Sequence, residues 1–483
     1  MKLWKRLFLT VTSITATSLF PVIFLYCTNI GEAHFNEIIK PCLEFLFISI
    51  ILFIVGMVIY KNVLKAAFIS VVFMLFFVNY TSIETVVRKL NYNLRYWHIV
   101  SILLFLFAHI CYFVYKWKSE EALKRVLQLV SIMFCGLILI NGITIIPDIM
   151  KNFSQPQTQK EVTAMAVENQ NSPDVYYIVL DEYSPFLTLE KYFNYYPKDF
   201  ESFLVENGFT ISYTSKNESP GTHINTTNAL NLNYIVSVDM SVKDTLPYRQ
   251  NPEFFKVFEN QNYDVHIANQ NYALVWKDEY YDTLNPFGKN GTANSFLENK
   301  SDNNFNKFGV LVRERTPLYI LNDNTESDIT RENVQKLFDY IQINAEKSES
   351  NKPKLTFTHI CSPHVPFVFD ENGGTVELSE SQNWADKKYY LGQYKYITSR
   401  LQETIDFILK NNPDSIIIIQ SDHGPRGGNK EMAIEYIDQL NIFNAVYYKG
   451  EAVNIEGQSG LNTLRIVLNQ LFHMDYEMLE VPN

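Results

Sequence analysis

The stretch that decides the fold is Ser415–Gly424, which reads S-I-I-I-I-Q-S-D-H-G. Four consecutive isoleucines predict a strand that is buried on both faces, as in the centre of a parallel sheet. The strand must end near Asp422-His423-Gly424, and ligands of open α/β sheets bind just beyond the carboxyl ends of strands. A carboxylate next to an imidazole at that place is therefore a candidate pair of metal ligands.

Residues 173–483 alternate between short apolar runs and helical patterns. This order predicts an α/β domain with a mostly parallel sheet covered by helices on both faces. The predicted strands are 175–180, 209–213, 263–268, 354–359, 415–420 and 444–448, and the most evident helices are 333–345, 387–410 and 461–472.

Residues 1–150 form a different kind of domain, because they hold five apolar stretches near the ~20 residues that a helix needs to cross a bilayer. We expect about five transmembrane helices there, followed by a polar tether over 151–172. The predicted spans are 8–30, 42–60, 66–83, 97–116 and 126–147.

The charge of the chain is divided between these two regions. Residues 1–150 carry 13 basic against 7 acidic side chains, and the remainder carries 28 against 45. With the N-terminus inside, nine basic residues would be cytoplasmic and four would lie on the other face, which favours that orientation. An odd number of spans then places everything after residue 150 outside the cytoplasm. The acidic remainder argues against a nucleic-acid partner.

A second acidic site lies at the end of the first predicted strand, where Asp181 follows V-Y-Y-I-V-L. Carboxylate oxygens suit hard divalent cations, and an imidazole suits Zn²⁺ or Mn²⁺. Asp181, Asp422 and His423 would provide three metal ligands at one sheet edge. The alternative for Asp181 is that it caps the following helix.

Two further side chains are candidates for chemistry. Thr222 lies near a predicted helix N-terminus, where the helix dipole and a metal would help its hydroxyl to lose a proton. The alternative is a plain N-cap threonine, which is the more common use of this residue type. His359 and His364 both leave the fourth predicted strand, and we favour His364 as a proton donor to the substrate.

Together these motifs resemble the sulfatase-like branch of the alkaline phosphatase superfamily, in particular its membrane-anchored lipoteichoic acid synthases, phosphoglycerol transferases and phosphoethanolamine transferases. The resemblance rests on the order and spacing of V-Y-Y-I-V-L-D-E, the threonine segment ending in L-N-L-N-Y, P-H-V-P-F, Y-L-G-Q-Y-K-Y and I-I-I-I-Q-S-D-H-G-P.

The resemblance implies a role for each candidate residue. Thr222 would be both the nucleophile and a metal ligand, Asp181, Asp422 and His423 would hold the metal, and His364 would act on the substrate. The family commonly has glutamate as its first ligand, whereas here Asp181 precedes Glu182. The absence of a full second ligand set from the sequence implies one divalent metal, Mn²⁺ or Zn²⁺ in preference to Mg²⁺.

The implied activity is transfer of a phosphoglycerol or phosphoethanolamine headgroup through a covalent threonine intermediate. The donor would be a phospholipid and the acceptor an envelope glycan or lipid, with the enzyme in the bacterial plasma membrane and its catalytic domain on the extracytoplasmic side. A membrane-tethered phosphodiesterase or sulfate-ester hydrolase that uses the same site is the alternative. A non-catalytic binding domain is a third reading, and the retained nucleophile argues against it.

Overall fold

The computed structural model describes residues 3–28, 38–90, 94, 96–146, 172–249, 252–269, 309, 312–313, 315–318, 326–346, 352–377, 380–427 and 432–482. The chain divides into two compact units. One contains residues 1–151 and 302–323, and the other contains residues 152–301 and 324–483. The tether predicted over 151–172 lies outside the described residues except for Ser172.

The first unit is helical. Its helices are α1 (Leu3–Thr28), α2 (Ile39–Tyr60), α3 (Val63–Val78), α4 (Tyr80–Leu90), α5 (Tyr96–Lys116) and α6 (Glu120–Thr144). Among the described residues, α1, α2, α5 and α6 are long and apolar enough to cross a membrane. The third predicted span, 66–83, is instead an apolar helix of 16 residues followed by α4.

Polar contacts identify the two ends of this helical unit. At one end, Arg6 pairs with Glu120 at 2.9 Å, the Asn62 amide donates to Glu120, and Lys65 donates to the carbonyl of Tyr115. At the other end, the hydroxyl of Tyr96 at the start of α5 donates to the carbonyl of Pro317 at 2.8 Å. The helix α3 runs from the first end to the second, because Asn62 caps its start and the residues near its end pack against those near the end of α1.

The second unit is built on one sheet. Its strands are β1 (Val175–Leu180), β2 (Thr210–Ser212), β3 (Asp264–Asn269), β4 (Lys354–Ile360), β5 (Ile416–Ser421) and β6 (Asn444–Tyr448), in the spatial order β2-β6-β5-β1-β4-β3. The pairs β5-β1, β1-β4 and β4-β3 are parallel, and β6 is antiparallel to both of its neighbours. The prediction of a mostly parallel sheet is confirmed, and each of the six strands lies where the sequence places it to within one or two residues.

Helices cover both faces of the sheet. They are α7 (Phe186–Phe193), α8 (Lys198–Glu206), α9 (Thr222–Leu230), α10 (Val242–Thr245), α11 (Glu253–Asn260), α12 (Glu326–Ala345), α13 (Lys387–Asn411), α14 (Tyr436–Gln439) and α15 (Gly460–Phe472), with a 3₁₀ turn over Leu246–Tyr248. Tyr177 in β1 packs with residues of α11 and α15 in one core. The preceding residue, Tyr176, points to the opposite face and accepts a hydrogen bond from Asn412 at the end of α13.

Candidate active site

The register of the three central strands brings the candidate residues together. Leu180 at the end of β1 pairs with Ile360 of β4 and with Ser421 of β5. The next residues along β1 and β5 are Asp181 and Asp422, which therefore leave neighbouring strands at the same edge. His359 is the second-to-last residue of β4 and pairs with Val179 of β1. The sheet thus places two carboxylates and an imidazole, from three adjacent strands, at the same edge.

The ring of His423 is held in one orientation. Its Nδ1 lies 2.8 Å from the carbonyl oxygen of Gly424, so Nδ1 carries the proton and donates it. Nε2 then keeps its lone pair, and it lies 3.6 Å from Asp181 Oδ1 and 3.5 Å from Asp422 Oδ2. A backbone carbonyl that fixes the tautomer in this way is a usual second contact of metal-binding histidines.

The corner that carries His423 depends on a glycine. The amide of Gly424 donates to the carbonyl of Gln439 at 2.8 Å. A Cβ atom at position 424 would lie 2.6 Å from the carbonyl oxygen of Asp438 and 2.8 Å from that of Asn441. Both neighbours are backbone atoms, so the chain has no room for a side chain here. This explains the glycine that follows the aspartate and histidine.

Asp422 is also oriented by its surroundings. Its Oδ1 accepts from the backbone amides of Glu182 at 3.2 Å and His423 at 2.9 Å. Its backbone carbonyl accepts from the side-chain amides of Asn217 and Asn225. Oδ2 is buried and has no hydrogen-bond partner within the described ranges. It lies 4.0 Å from Nε2 of His359. The peptide contacts therefore occupy one carboxylate oxygen and leave the other for the cluster.

The donor set fits a divalent cation. Among the described residues, Asp181 Oδ1, Asp422 Oδ2 and His359 Nε2 are all buried without a hydrogen-bond partner, and an atom from each of these residues lies within 4.8 Å of the others. Burying charged groups without full hydrogen bonding costs several kcal/mol, and a divalent cation at this place would offset that cost. Two ligands about 2.1 Å from one tetrahedral ion lie roughly 3.4 Å apart, close to the His423 separations from the two carboxylates.

The two carboxyl groups differ in how they ionise. Burial and the neighbouring charge of Asp422 raise the pKa of Asp181 above its usual value. Burial acts in the same direction on Asp422, but His423 and His359 outweigh it and hold the pKa of Asp422 below its usual range. The pair thus avoids placing two unbalanced negative charges side by side. A bound dication would remove the conflict and ionise both.

Thr222 begins α9 and is not its cap. The N-cap position is occupied by Gly221, which offers no side-chain hydrogen bond. The hydroxyl oxygen of Thr222 lies 3.3 Å from His423 Nε2, at the positive end of the α9 dipole. The structure therefore places Thr222 beside the buried donor cluster. Asp181 likewise caps no helix, because the N-cap of α7 is Pro185.

Next to the cluster lies a group of three side chains formed by Glu182, His364 and Arg426. The Glu182 carboxylate contacts Arg426 Nε at 2.5 Å, and Arg426 Nη2 lies 2.5 Å from His364 Nε2. His364 Nδ1 contacts the carbonyl of Val365. Burial lowers the pKa of His364, but Asp181 and Glu182 outweigh it and raise the pKa above its ordinary value. The contact with Arg426 nevertheless requires the neutral ring, because a protonated imidazole has no lone pair to accept.

The motif Y-L-G-Q-Y-K-Y on α13 positions the loop that bears His364. The side-chain amide of Gln393, which is fully buried, donates to the carbonyl of His364 at 3.0 Å and accepts from the amide of Val368 at 2.7 Å. The hydroxyl of Tyr390 donates to the carbonyl of Glu182 at 2.7 Å. Through these two residues, α13 holds both the backbone of Glu182 and the loop that bears His364.

Sequence reasoning missed two members of this site. The sequence presents His359 only as the alternative to His364 for proton transfer, although its position one residue before the end of a buried strand is a usable signal for a metal ligand. Arg426, two residues after the Asp-His-Gly corner, was not considered, and its partner Glu182 was noted only as the residue after Asp181. The pairing of residues 182 and 426 depends on tertiary contacts that spacing does not reveal.

No protein-family model matches the chain, and no curated protein matches it. Solved structures that are similar to it include the C-terminal periplasmic domain of EcEptC from Escherichia coli in complex with Zn, with 15% identity over 67% of this chain and 87% of that chain, at a TM-score of 0.40. Another is the soluble domain of lipooligosaccharide phosphoethanolamine transferase A from Neisseria meningitidis, with 13% identity over 65% and 93%, at 0.41. A third is the lipoteichoic acid synthase LtaP from Listeria monocytogenes, with 15% identity over 67% and 78%, at 0.38. These are proteins of the kind that the motifs resemble, and similarities this remote assign no activity.

Proposed function

We propose that this protein is a membrane-anchored, metal-dependent transferase that moves a phospho-alcohol headgroup from a phospholipid to an envelope glycan or lipid. The observation that carries the proposal is the position of the Thr222 hydroxyl, 3.3 Å from His423 Nε2 at a helix N-terminus and beside buried, unpartnered carboxylate oxygens. A nucleophile at such a place suits phosphoryl transfer better than simple ligand binding.

The proposed reaction consists of two displacements at phosphorus. The Thr222 oxygen forms a bond to phosphorus while the bond to the lipid oxygen breaks, and the lipid leaves as an alcohol after gaining a proton. An acceptor hydroxyl then attacks phosphorus, loses its proton, and returns Thr222 to its free form. His364 would move the proton in either half. A divalent cation held by Asp181, Asp422, His423 and Thr222 would lower the pKa of the threonine hydroxyl and stabilise charge on the phosphate.

The phospholipid donor explains the helical first unit, since a membrane-embedded anchor keeps the site near its substrate. We further propose that the protein is a multi-pass protein of the bacterial plasma membrane with residues 173–483 outside the cytoplasm, where envelope acceptors are found. The basic residues of the first unit support this orientation.

The experiment that tests the function is intact-mass analysis of the full chain in detergent, incubated with Mn²⁺ or Zn²⁺ and mixed bacterial phospholipids. We expect an added mass on Thr222 that equals a phosphorylated alcohol and therefore names the headgroup. Thr222→Ala should form no adduct and lose essentially all turnover while keeping its fold. Thr226→Ala is the matched control, because Thr226 lies in the same helix and its buried hydroxyl has no hydrogen-bond partner in the part of the chain that the structure describes.

The outcomes separate the alternatives. Free headgroup released by the wild-type chain without transfer to any acceptor would indicate a hydrolase that uses the same site. An adduct that persists in Thr222→Ala, or full turnover by that variant, would contradict the assignment of the nucleophile. A chain with neither adduct nor turnover on any phospholipid would contradict the proposed donor.

A further inference from the structure

The consecutive acidic residues Asp181 and Glu182 point to different places. Glu182 has a φ of +59°, a left-handed conformation that is unusual for a residue with a side chain. Its amide donates to Asp422 and its carbonyl accepts from Tyr390, so the backbone is held on both sides. Asp181 consequently faces the donor cluster, and the Glu182 carboxylate is directed to Arg426.

The Glu182 carboxylate is buried, with only 2% of its side chain exposed, whereas the Arg426 side chain is 42% exposed. The Glu182 carboxylate binds one edge of the Arg426 guanidinium and thereby fixes the orientation of its remaining N–H groups at the exposed side of the site. Arginine is suited to this use, because its planar group presents several donors in a fixed geometry that matches phosphate oxygens.

Arg426 has binding capacity left. Nε is used by Glu182 and Nη2 by His364, and within the described ranges no acceptor contacts Nη1. Burial lowers the pKa of Arg426, but Glu182, Asp181 and Asp422 outweigh it, so these acidic groups lie close enough for their charges to act on it. The Arg426 guanidinium is therefore oriented and adjacent to the donor cluster, and among the described residues no acceptor uses its Nη1.

The contact between Arg426 and His364 also affects proton transfer. While Nη2 of Arg426 donates to Nε2 of His364 and the Nδ1 of His364 is bound to the carbonyl of Val365, neither ring nitrogen can exchange a proton with a substrate. An anion that binds Nη1 and Nη2 together would compete with His364 for Nη2, and displacement of that contact would release Nε2.

We propose that Arg426, oriented by Glu182, binds the non-bridging oxygens of the phosphodiester group that Thr222 attacks, and that this binding frees His364 for proton transfer. The inference rests on the proposed function for the identity of the reacting group, but the phosphate site itself can be tested separately. The ligand class is a phosphate or phosphodiester anion. The other role open to Arg426 is simply to neutralise Glu182.

The test uses the full-length chain in detergent with Mn²⁺, and inorganic phosphate as the probe in a calorimetric titration. We expect Arg426→Ala to bind phosphate at least tenfold more weakly, and Arg426→Lys to be intermediate because lysine is a point charge without the fork. Arg400→Ala is the matched control, since Arg400 also forms ion pairs, with Asp339 and Glu403, but on α13. It should bind phosphate as the wild type does.

A second readout separates substrate binding from a structural role. In the headgroup-transfer assay, Arg426→Ala should lose about 10²–10³-fold in kcat/KM, as expected for one donor to a transition-state anion. Millimolar guanidinium should restore part of this loss, and urea should not. Metal content should stay unchanged, whereas the unfolding midpoint should fall without loss of the fold, because Arg426→Ala leaves the buried Glu182 carboxylate without its ionic partner.

Equal phosphate affinity in the wild type and in Arg426→Ala, or no phosphate binding by the wild type, would overturn the inference. Loss of metal or of fold in Arg426→Ala, without rescue by guanidinium, would also overturn it by showing a structural role. If phosphate binding depends on Arg426 but Thr222 never acquires an adduct, the phosphate site stands and the proposed function fails.

Discussion

At the scale of single residues, the φ angle of Glu182 determines which of two consecutive acidic side chains, Asp181 or Glu182, faces the donor cluster. The sequence predicts an acidic ligand after β1 but does not distinguish Asp181 from Glu182, since either would lie at the carboxyl end of the strand. The left-handed conformation of Glu182 turns the second carboxylate towards Arg426. Such an angle depends on contacts with Asp422 and Tyr390, which are remote in sequence, so it could not be predicted from the local pattern.

His359 provides a residue-scale prediction about the donor cluster. The fully buried imidazole presents Nε2 without a hydrogen-bond partner 4.0 Å from Asp422 Oδ2. If His359 completes the ligand set, His359→Ala should weaken binding of Zn²⁺ or Mn²⁺ by more than the roughly 10–100-fold that loss of a supporting contact of a metal site costs. The measurement is a titration of the metal-stripped full chain.

The matched control for His359 is His473→Asn. His473 is exposed at the end of α15 in a left-handed conformation that asparagine accepts. This control should bind metal as the wild type does. Unchanged affinity in His359→Ala would show instead that His359 is a buried imidazole whose partner is the nearby thiol of Cys361, 3.7 Å from Nδ1.

At the scale of elements, the six strands agree with the prediction from sequence, whereas the third predicted span, 66–83, does not. Runs such as V-Y-Y-I-V-L and I-I-I-I are buried at every position, so composition alone reveals β1 and β5. The apolar run over 66–83 suggests one long span, yet Asn79 interrupts it and the apolar helix α3 has only 16 residues. At 1.5 Å per residue α3 is roughly 24 Å long, shorter than the ~30 Å hydrocarbon core.

The length of α3 matters because it decides whether the proposed topology has four or five membrane crossings. Nine residues of α3 are buried, and α3 packs against α1, α2, α5 and α6. Val312 and Pro317, which follow α6 in the chain, lie at the end of the first unit opposite Arg6, where Val312 packs with Phe45 and Phe77 and Pro317 accepts a hydrogen bond from Tyr96. In the proposed topology α3 crosses the membrane together with α1, α2, α5 and α6, which gives five crossings.

Cysteine labelling on intact cells tests this topology. With five crossings and the N-terminus inside, Tyr436→Cys should react with a membrane-impermeant maleimide and Lys118→Cys should not. If α3 does not cross, the two results should be exchanged. Both positions are exposed, and the parent chain, whose Cys361 is partly buried, sets the background. Both variants should react after the cells are permeabilised.

At the scale of the whole molecule, the two units are stabilised in different ways. The sequence predicts this division through its basic, apolar first part and its acidic second part, although it does not predict that residues 302–323 group with the helices. The buried, unpartnered donors of Asp181, His359 and Asp422 all belong to the second unit. A cation bound there should therefore stabilise one unit and leave the other unaffected.

Calorimetry of the full chain in detergent tests this expectation. We expect two unfolding transitions, of which only one moves to higher temperature when Mn²⁺ or Zn²⁺ is added. The gain should reach about 2.7 kcal/mol when the free metal is a hundredfold above its dissociation constant. Asp181→Asn should abolish the shift without lowering the metal-free transition, because Asp181 Oδ1 has no hydrogen-bond partner to lose. Asp239→Asn, at an aspartate whose side chain is exposed, should keep the shift. A single transition would contradict two separate units, and a shift that survives Asp181→Asn would exclude that carboxylate as a ligand.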